Sequence, residues 1–148
     1  ITKQYENWNQ CTEPYYQSWR KDSKDIETAS FGLYLTARDM AKFGFLYLNK
    51  GKWENKQVLS SYWVNESTKE HVKDIYGRYS YGYQWYITLI DGYPAFLASG
   101  FGGQLIGVVP SKDLVVVLKY EAEHPVHPVS GSKHDDMKLF ELITKAVG

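Results

Sequence analysis

Ala98-Ser99-Gly100-Phe101-Gly102-Gly103-Gln104 runs into Leu105-Ile106-Gly107-Val108-Val109, turns at Pro110-Ser111-Lys112-Asp113, and continues as Leu114-Val115-Val116-Val117-Leu118. Two apolar runs of strand length on either side of a proline-led turn predict a β-hairpin. The runs are apolar at successive positions, so both faces of that part of the sheet must be covered. The first run is entered through a glycine cluster. Glycines at the mouth of a strand let a second backbone or a ligand approach, because no Cβ stands in the way. Such a mouth suits the binding of a carbonyl group.

Upstream, Tyr81 to Ile90 reads as a strand, and Asp91-Gly92 is a strong two-residue hairpin signal. Tyr93 to Ser99 then returns antiparallel, followed by Gln104 to Val109 and Leu114 to Tyr120. Residues 79–120 are therefore expected to form a four-stranded antiparallel meander. Residues 31–75 are expected to be helical. Thr36-Ala37-Arg38-Asp39 resembles a capping box with Asp in place of Glu. Met40, Phe43 and Tyr47 follow at helical spacing, and Gly51 lies just past the expected end. A second helix is predicted from Ser60 or Ser61 to about His71, carrying Trp63 and Val64. A last helix, beginning near Asp135 or Asp136 and running to 147, places Met137, Phe140, Ile143 and Val147 on one stripe, flanked by Leu139 and Leu142. Residues 1–30 show no periodicity and are read as irregular, and Glu121 to Lys133 is a loop rich in Pro, His and Ser. The fold class is α/β (α+β), an antiparallel sheet with helices packed on it.

The chain has 148 residues, the size of one domain. With 17 basic and 17 acidic residues it carries no net charge and no basic run, which argues against a nucleic-acid partner. The longest wholly apolar stretch is five residues, too short for a transmembrane segment. Cys11 is the only cysteine, so no intrachain disulfide or cysteine-rich zinc site can form. The chain opens at Ile1 without an initiator Met or a signal-like segment and is expected to be processed or truncated.

The order of motifs resembles the C-terminal part of the serine β-lactamase-like hydrolases. That group includes class C β-lactamases, penicillin-binding DD-peptidases, related esterases and 6-aminohexanoate-dimer hydrolases. The resemblance rests on Gly32-Leu33-Tyr34-Leu35-Thr36-Ala37-Arg38-Asp39-Met40-Ala41-Lys42-Phe43-Gly44 and Leu46-Tyr47-Leu48-Asn49-Lys50-Gly51-Lys52-Trp53. It is carried further by Tyr81-Gly82-Tyr83-Gln84-Trp85 and by Ser99-Gly100-Phe101-Gly102-Gly103-Gln104 with Pro110 and Asp113. It covers about residues 30 to 120 and implies the β-lactamase/transpeptidase-like fold. It also implies acyl transfer through an acyl-enzyme on small-molecule amides or esters, with no cofactor or metal. In such enzymes a Ser-x-x-Lys supplies the nucleophile and its base, and a Tyr-x-Asn or Tyr-x-Ser supplies a second proton-transfer group. A Lys/His-Thr/Ser-Gly on an edge strand lines the pocket. Only this last part has a counterpart here. Ser99 and Gly100 occupy the Thr/Ser-Gly positions, and the N–H of Phe101 is the implied oxyanion donor. Ala98 departs from the pattern, because a Lys or His there would put a positive charge near a substrate carboxylate. The departure argues against a β-lactam or DD-peptide substrate and leaves amides or esters.

Ser18-Trp19-Arg20-Lys21 and Ser130-Gly131-Ser132-Lys133 are Ser-x-x-Lys strings, but neither has the family's position far ahead of the closing strands. Tyr47-Leu48-Asn49 lies in a helix-end signature, where its Tyr reads as packing, and Tyr5-Glu6-Asn7 has no helical context. The nucleophile is therefore expected upstream of Ile1, and the chain alone is expected to be inactive. A missing N-terminal half, or self-association, would cover the open sheet. The rival reading is a non-catalytic binding or structural module on the same fold, which Ala98 favours. His124, His127, His134, Asp135 and Asp136 invite a metal reading, although spacing fixes no third ligand. Asn65-Glu66-Ser67 matches a glycosylation acceptor but falls inside a predicted helix. The resemblance implies a bacterial source and leaves a periplasmic or secreted location open.

Overall fold

The computed structural model describes residues 18–19, 21–28, 32–75, 77, 79–100, 103–119 and 133–147. The chain divides into two compact units, residues 1–39 and 40–148.

In the first unit β1 (Ser18–Trp19), where irregular structure is predicted, pairs antiparallel with β2 (Leu33–Tyr34), which falls in the residues 31–75 expected to be helical. An isolated bridge joins Lys21 to Glu27 across a turn. Asp22 holds that turn: its carboxylate accepts the Lys24 N–H (2.8 Å) and the Ile26 N–H (3.1 Å). The Trp19 indole N–H donates to the Thr28 carbonyl at 2.8 Å. At the end of this unit the capping box is present. The Thr36 hydroxyl accepts the Asp39 N–H (3.2 Å) and donates to the Asp39 carboxylate (2.7 Å), starting α1 (Ala37–Leu48). The helix closes as expected near Gly51. The Lys50 N–H donates to Tyr47 (3.0 Å) and the Gly51 N–H to Leu46 (2.8 Å). Lys50, not glycine, takes the first left-handed position, at φ 52°.

In the second unit a short ladder, β3 (Lys52–Trp53) with β4 (Lys56–Gln57), leads to α2 (Ser61–Ser67). Ser60 is the N-cap of α2, its side chain accepting the Trp63 N–H at 3.1 Å. The helix stops at Ser67, four residues before the predicted end. Both the Ser67 and Thr68 hydroxyls bond back to the Val64 carbonyl, and the Ser67 carbonyl is taken by the Tyr83 N–H (2.9 Å).

Six strands follow in a meander: β5 (Val72–Ile75), β6 (Tyr79–Tyr81), β7 (Tyr86–Ile90), β8 (Tyr93–Ser99), β9 (Leu105–Val109) and β10 (Leu114–Leu118). They form one antiparallel sheet in the order β10-β9-β8-β7-β6-β5. The expected four strands thus become six. β5 lies just past the predicted second helix, within the residues 31–75 expected to be helical, and the predicted strand over Tyr81–Ile90 is split by the Gly82–Trp85 turn. The β7–β8 hairpin forms as predicted, with Asp91 at φ 50° and Gly92 at φ 82° and Ile90 opposite Tyr93. α3 (Lys133–Ala146) begins two residues earlier than expected, leaving Asp135 and Asp136 in its first turn, where the helix dipole favours acids.

The sheet is covered on both faces, as its two-sided apolar strands require. On one face Phe140 of α3, fully buried, packs with Ile90, Ala95, Leu97, Leu105, Val109 and Val116. Leu139 and Leu142 are exposed beside it, as is Val147 at the end of the stripe. On the other face α1 lies so close that a Cβ at Gly44 would stand 2.6 Å from Val115 and 2.9 Å from Ile106.

Candidate functional site

β8 lies inside the sheet, between β7 and β9, and not at its edge as the family pattern implies. Its C-terminal end nevertheless forms a local margin. The last rung to β7 is Tyr86↔Leu97, whereas the rungs Ala98↔Ile106 and Ser99↔Leu105 are made to β9 alone. Two residues of β8 therefore outrun their neighbour on one side.

The cause is the Gly82–Trp85 turn. Continuing the β7 ladder by two residues would set Gln84 opposite Ser99. Gln84 instead sits at φ 67°, in the left-handed region, and cannot extend the strand. The turn closes on itself through the Gly82 N–H to the Trp85 carbonyl (2.8 Å). It is also held from outside: the Ser67 carbonyl at the end of α2 sits where a Cβ on Gly82 would be. Trp85 then anchors the start of β7. It is 2 % exposed and meets Tyr47 (centroids 4.6 Å apart), Phe96 (5.0 Å, edge-on) and Phe43 (6.0 Å, stacked). Phe96 belongs to β8, so this aromatic cluster supports the strand that carries the margin.

Ser99 and Gly100 are exposed and Ala98 is half-buried. The loop beyond them returns sharply. The Gly100 N–H donates to the Gln104 carbonyl at 2.8 Å, and Gly103 is at φ 82°. The Gly100 N–H is thus already engaged. Phe101, whose N–H is the implied oxyanion donor, lies outside the described residues.

The Ser-x-x-Lys at Ser18 does not stand at a helix start. Ser18 is in β1, opposite Tyr34, and the Lys21 ammonium is held by Asp25 (3.1 Å) and Glu27 (3.6 Å). The hydrogen bond that the Lys21 ammonium donates to the Asp25 carboxylate, aided by both carboxylates' charge, raises the Lys21 pKa, the opposite of what a base needs. Ser130 lies outside the described residues, as do Tyr5, Asn7, Cys11, His124, His127 and the side chains of His134, Asp135 and Asp136. Among the described residues no three His, Cys, Asp or Glu side chains gather to hold a metal. Tyr47 is a packing residue inside the aromatic cluster, and the Asn49 amide donates to the Lys52 carbonyl (3.0 Å). Asn65 lies within α2.

The role of Gln84 is absent from the sequence reading. Its only signal is Gly82 interrupting an otherwise strand-like run, a pattern that marks a bulge or a close backbone approach. A tyrosine group was equally hidden: Tyr86 meets Tyr79 (5.6 Å) and Tyr81 (4.9 Å) edge-on. Burial raises the Tyr81 pKa.

No helix among the described residues is long and apolar enough to cross a membrane. The β-lactamase family model matches residues 2–134. Among solved structures the chain is similar to one named "Putative 6-aminohexanoate-dimer hydrolase from Bacillus anthracis", at 31% identity and a TM-score of 0.64. The match covers 87% of this chain and 33% of that one, so the chain spans about a third of that protein's length. No curated protein matches the chain in sequence. With a family match over most of its length and an antiparallel sheet flanked by helices, the chain belongs to the β-lactamase family of hydrolases.

Proposed function

We propose that these residues are the C-terminal portion of a serine hydrolase domain that cleaves amide or ester bonds through an acyl-enzyme. The attacking serine and its lysine base would belong to polypeptide upstream of Ile1. In this reading Ser99 and Gly100 line the substrate pocket and the Phe101 N–H donates to the oxyanion. The serine Oγ adds to the substrate carbonyl, its proton passes to the base, and the amine or alcohol leaves with a proton. Water then attacks the acyl carbonyl and restores the serine. The observation that carries this reading is the margin at Ala98–Ser99, two residues of β8 that have rungs to β9 and, among the described residues, none to β7, beside a glycine-rich segment. The span of the chain, a third of its solved relative, supports a nucleophile outside it. Ala98, in place of Lys or His, favours amides or esters without a recognised carboxylate.

A purified 148-residue chain is expected to leave p-nitrophenyl acetate and nitrocefin unhydrolysed. The chain extended upstream through a Ser-x-x-Lys should hydrolyse the acetate, and Phe101→Pro, which removes the N–H, should lower kcat about 100-fold or more. Turnover by the 148-residue chain that Ser18→Ala abolishes would overturn the proposal. Ala98 also favours a second reading, a binding module without catalysis, which predicts that the extended chain stays inactive.

A further inference from the structure

The β6–β7 hairpin turns on two residues. Tyr81 faces Tyr86 in its last rung, the Gly82 N–H donates to the Trp85 carbonyl, and Tyr83-Gln84 is the tip. Because β7 and β8 are antiparallel, the start of β7 lies beside the end of β8. The tip therefore stands at the same end of the sheet as Ala98 and Ser99, which among the described residues have no rung to β7. Neighbouring strands are about 4.8 Å apart, a distance that a glutamine side chain spans. The tip is firmly held, apart from that side chain. The Tyr83 N–H donates to the Ser67 carbonyl at 2.9 Å, and the Tyr83 ring stacks with His71 (4.3 Å) and Trp63 (5.6 Å). Gln84 itself is exposed, and among the described residues its carboxamide has no hydrogen-bond partner. Its φ of 67° is the left-handed conformation that the second position of such a turn normally reserves for glycine or asparagine. A strained residue kept where glycine fits better points to a role for its side chain.

We propose that Gln84 is a specificity-determining residue of the acyl-transfer cleft, its carboxamide bonding an uncharged secondary amide that the substrate carries beside the scissile carbonyl. A carboxamide offers both an N–H donor and a C=O acceptor, the complement of the C=O and N–H of a secondary amide. Neither Ala98 nor Gln84 offers a carboxylate a counter-charge. The inference rests on the acyl-transfer reading and adds the substrate class to it: esters or amides whose acyl group contains a second, neutral amide.

The test uses the chain extended upstream through a Ser-x-x-Lys and three p-nitrophenyl esters of equal chain length. The N-acetylglycinate carries the amide, the levulinate replaces its N–H by a methylene, and the pentanoate lacks both polar groups. Each kcat/KM is divided by the ester's spontaneous rate in buffer, which removes differences in intrinsic reactivity. The N-acetylglycinate should then exceed the pentanoate about tenfold or more, with the levulinate between them. Gln84→Gly removes the carboxamide and relaxes the backbone, and should bring that ratio close to one. Gln84→Glu keeps the length of the side chain but, ionised, cannot donate, and should also lower the ratio. A residue that only shaped the turn would change all three esters alike and leave the ratio as it was. Near-ultraviolet circular dichroism checks that the Trp85 cluster is intact in each variant. Ester hydrolysis without preference for the amide, or a preference that survives Gln84→Gly, would overturn the inference and leave the acyl-transfer reading standing. An extended chain that hydrolyses none of the three esters overturns that reading, and this inference with it.

Discussion

Phe140 of α3 lies against the backbone of Gly107 in β9, so close that a Cβ on Gly107 would meet the ring at 2.5 Å. The ring is wholly buried, and Gly107 stands between Leu97 and Val116 in the central rungs of the sheet. The glycine here serves approach and not a turn: it sets how near the helix can come. The same strand is approached from the other face by Gly44 of α1, which leaves the middle of the sheet thin and closely packed.

Gly107→Ala should therefore be destabilising even though alanine suits a strand better than glycine. Forcing one methyl into this contact costs about 1–3 kcal/mol. Phe140→Ala should cost about 3–5 kcal/mol by leaving a cavity. Combining Gly107→Ala with Phe140→Leu should lose less than the sum of the two single changes, because the added methyl then occupies space the smaller side chain vacates. Urea denaturation of the four chains measures this coupling, and strict additivity would refute the contact as the cause.

Gln84 holds a left-handed backbone that costs a non-glycine residue about 1–3 kcal/mol. Gln84→Gly should raise the melting temperature, with the Trp85 cluster unchanged by near-ultraviolet circular dichroism. An unchanged or lower melting temperature would show that the amide side chain returns what the backbone loses.

Glu70 gives the clearest dependence on pH. The Ser80 hydroxyl donates to its carboxylate, and Lys73 lies 3.4 Å away. The hydrogen bond first, and the Lys73 contact second, hold its pKa below the ordinary glutamate value of about 4.3. A carboxyl depressed by folding adds stability that is fully present above its unfolded value. That stability is lost as pH falls through the lower folded value. Ser80→Ala should move the Glu70 titration upward, followed by carboxyl carbon chemical shifts. The stabilising increment present above about pH 5 should shrink in parallel. An unmoved titration would remove Ser80 as the cause.

Much of the fold was legible because its signals are local. Asp91-Gly92 specifies its hairpin through two left-handed residues in succession. Thr36 and Asp39 cap α1 within one turn. The paired runs of β9 and β10 announce a sheet buried on both sides. Each of these is encoded within a few residues, so reading along the chain suffices.

The candidate site was legible only as a place. The glycine cluster after Ser99 marks where the chain turns back. The margin beside Ser99 is set by Gln84 fifteen positions earlier, in a turn whose Tyr83 N–H donates to the Ser67 carbonyl at the end of α2. No spacing rule links these residues, because the bond between them is a helix-end carbonyl meeting a turn amide in space. The sequence by itself determined the hairpins, the caps and the apolar strands, since hydrogen bonds between near neighbours and side-chain alternation need no distant partner. Only the tertiary structure decided where β7 stops, how far β8 runs past it and that β5 joins the sheet, because those outcomes hang on contacts whose partners lie far apart in the chain.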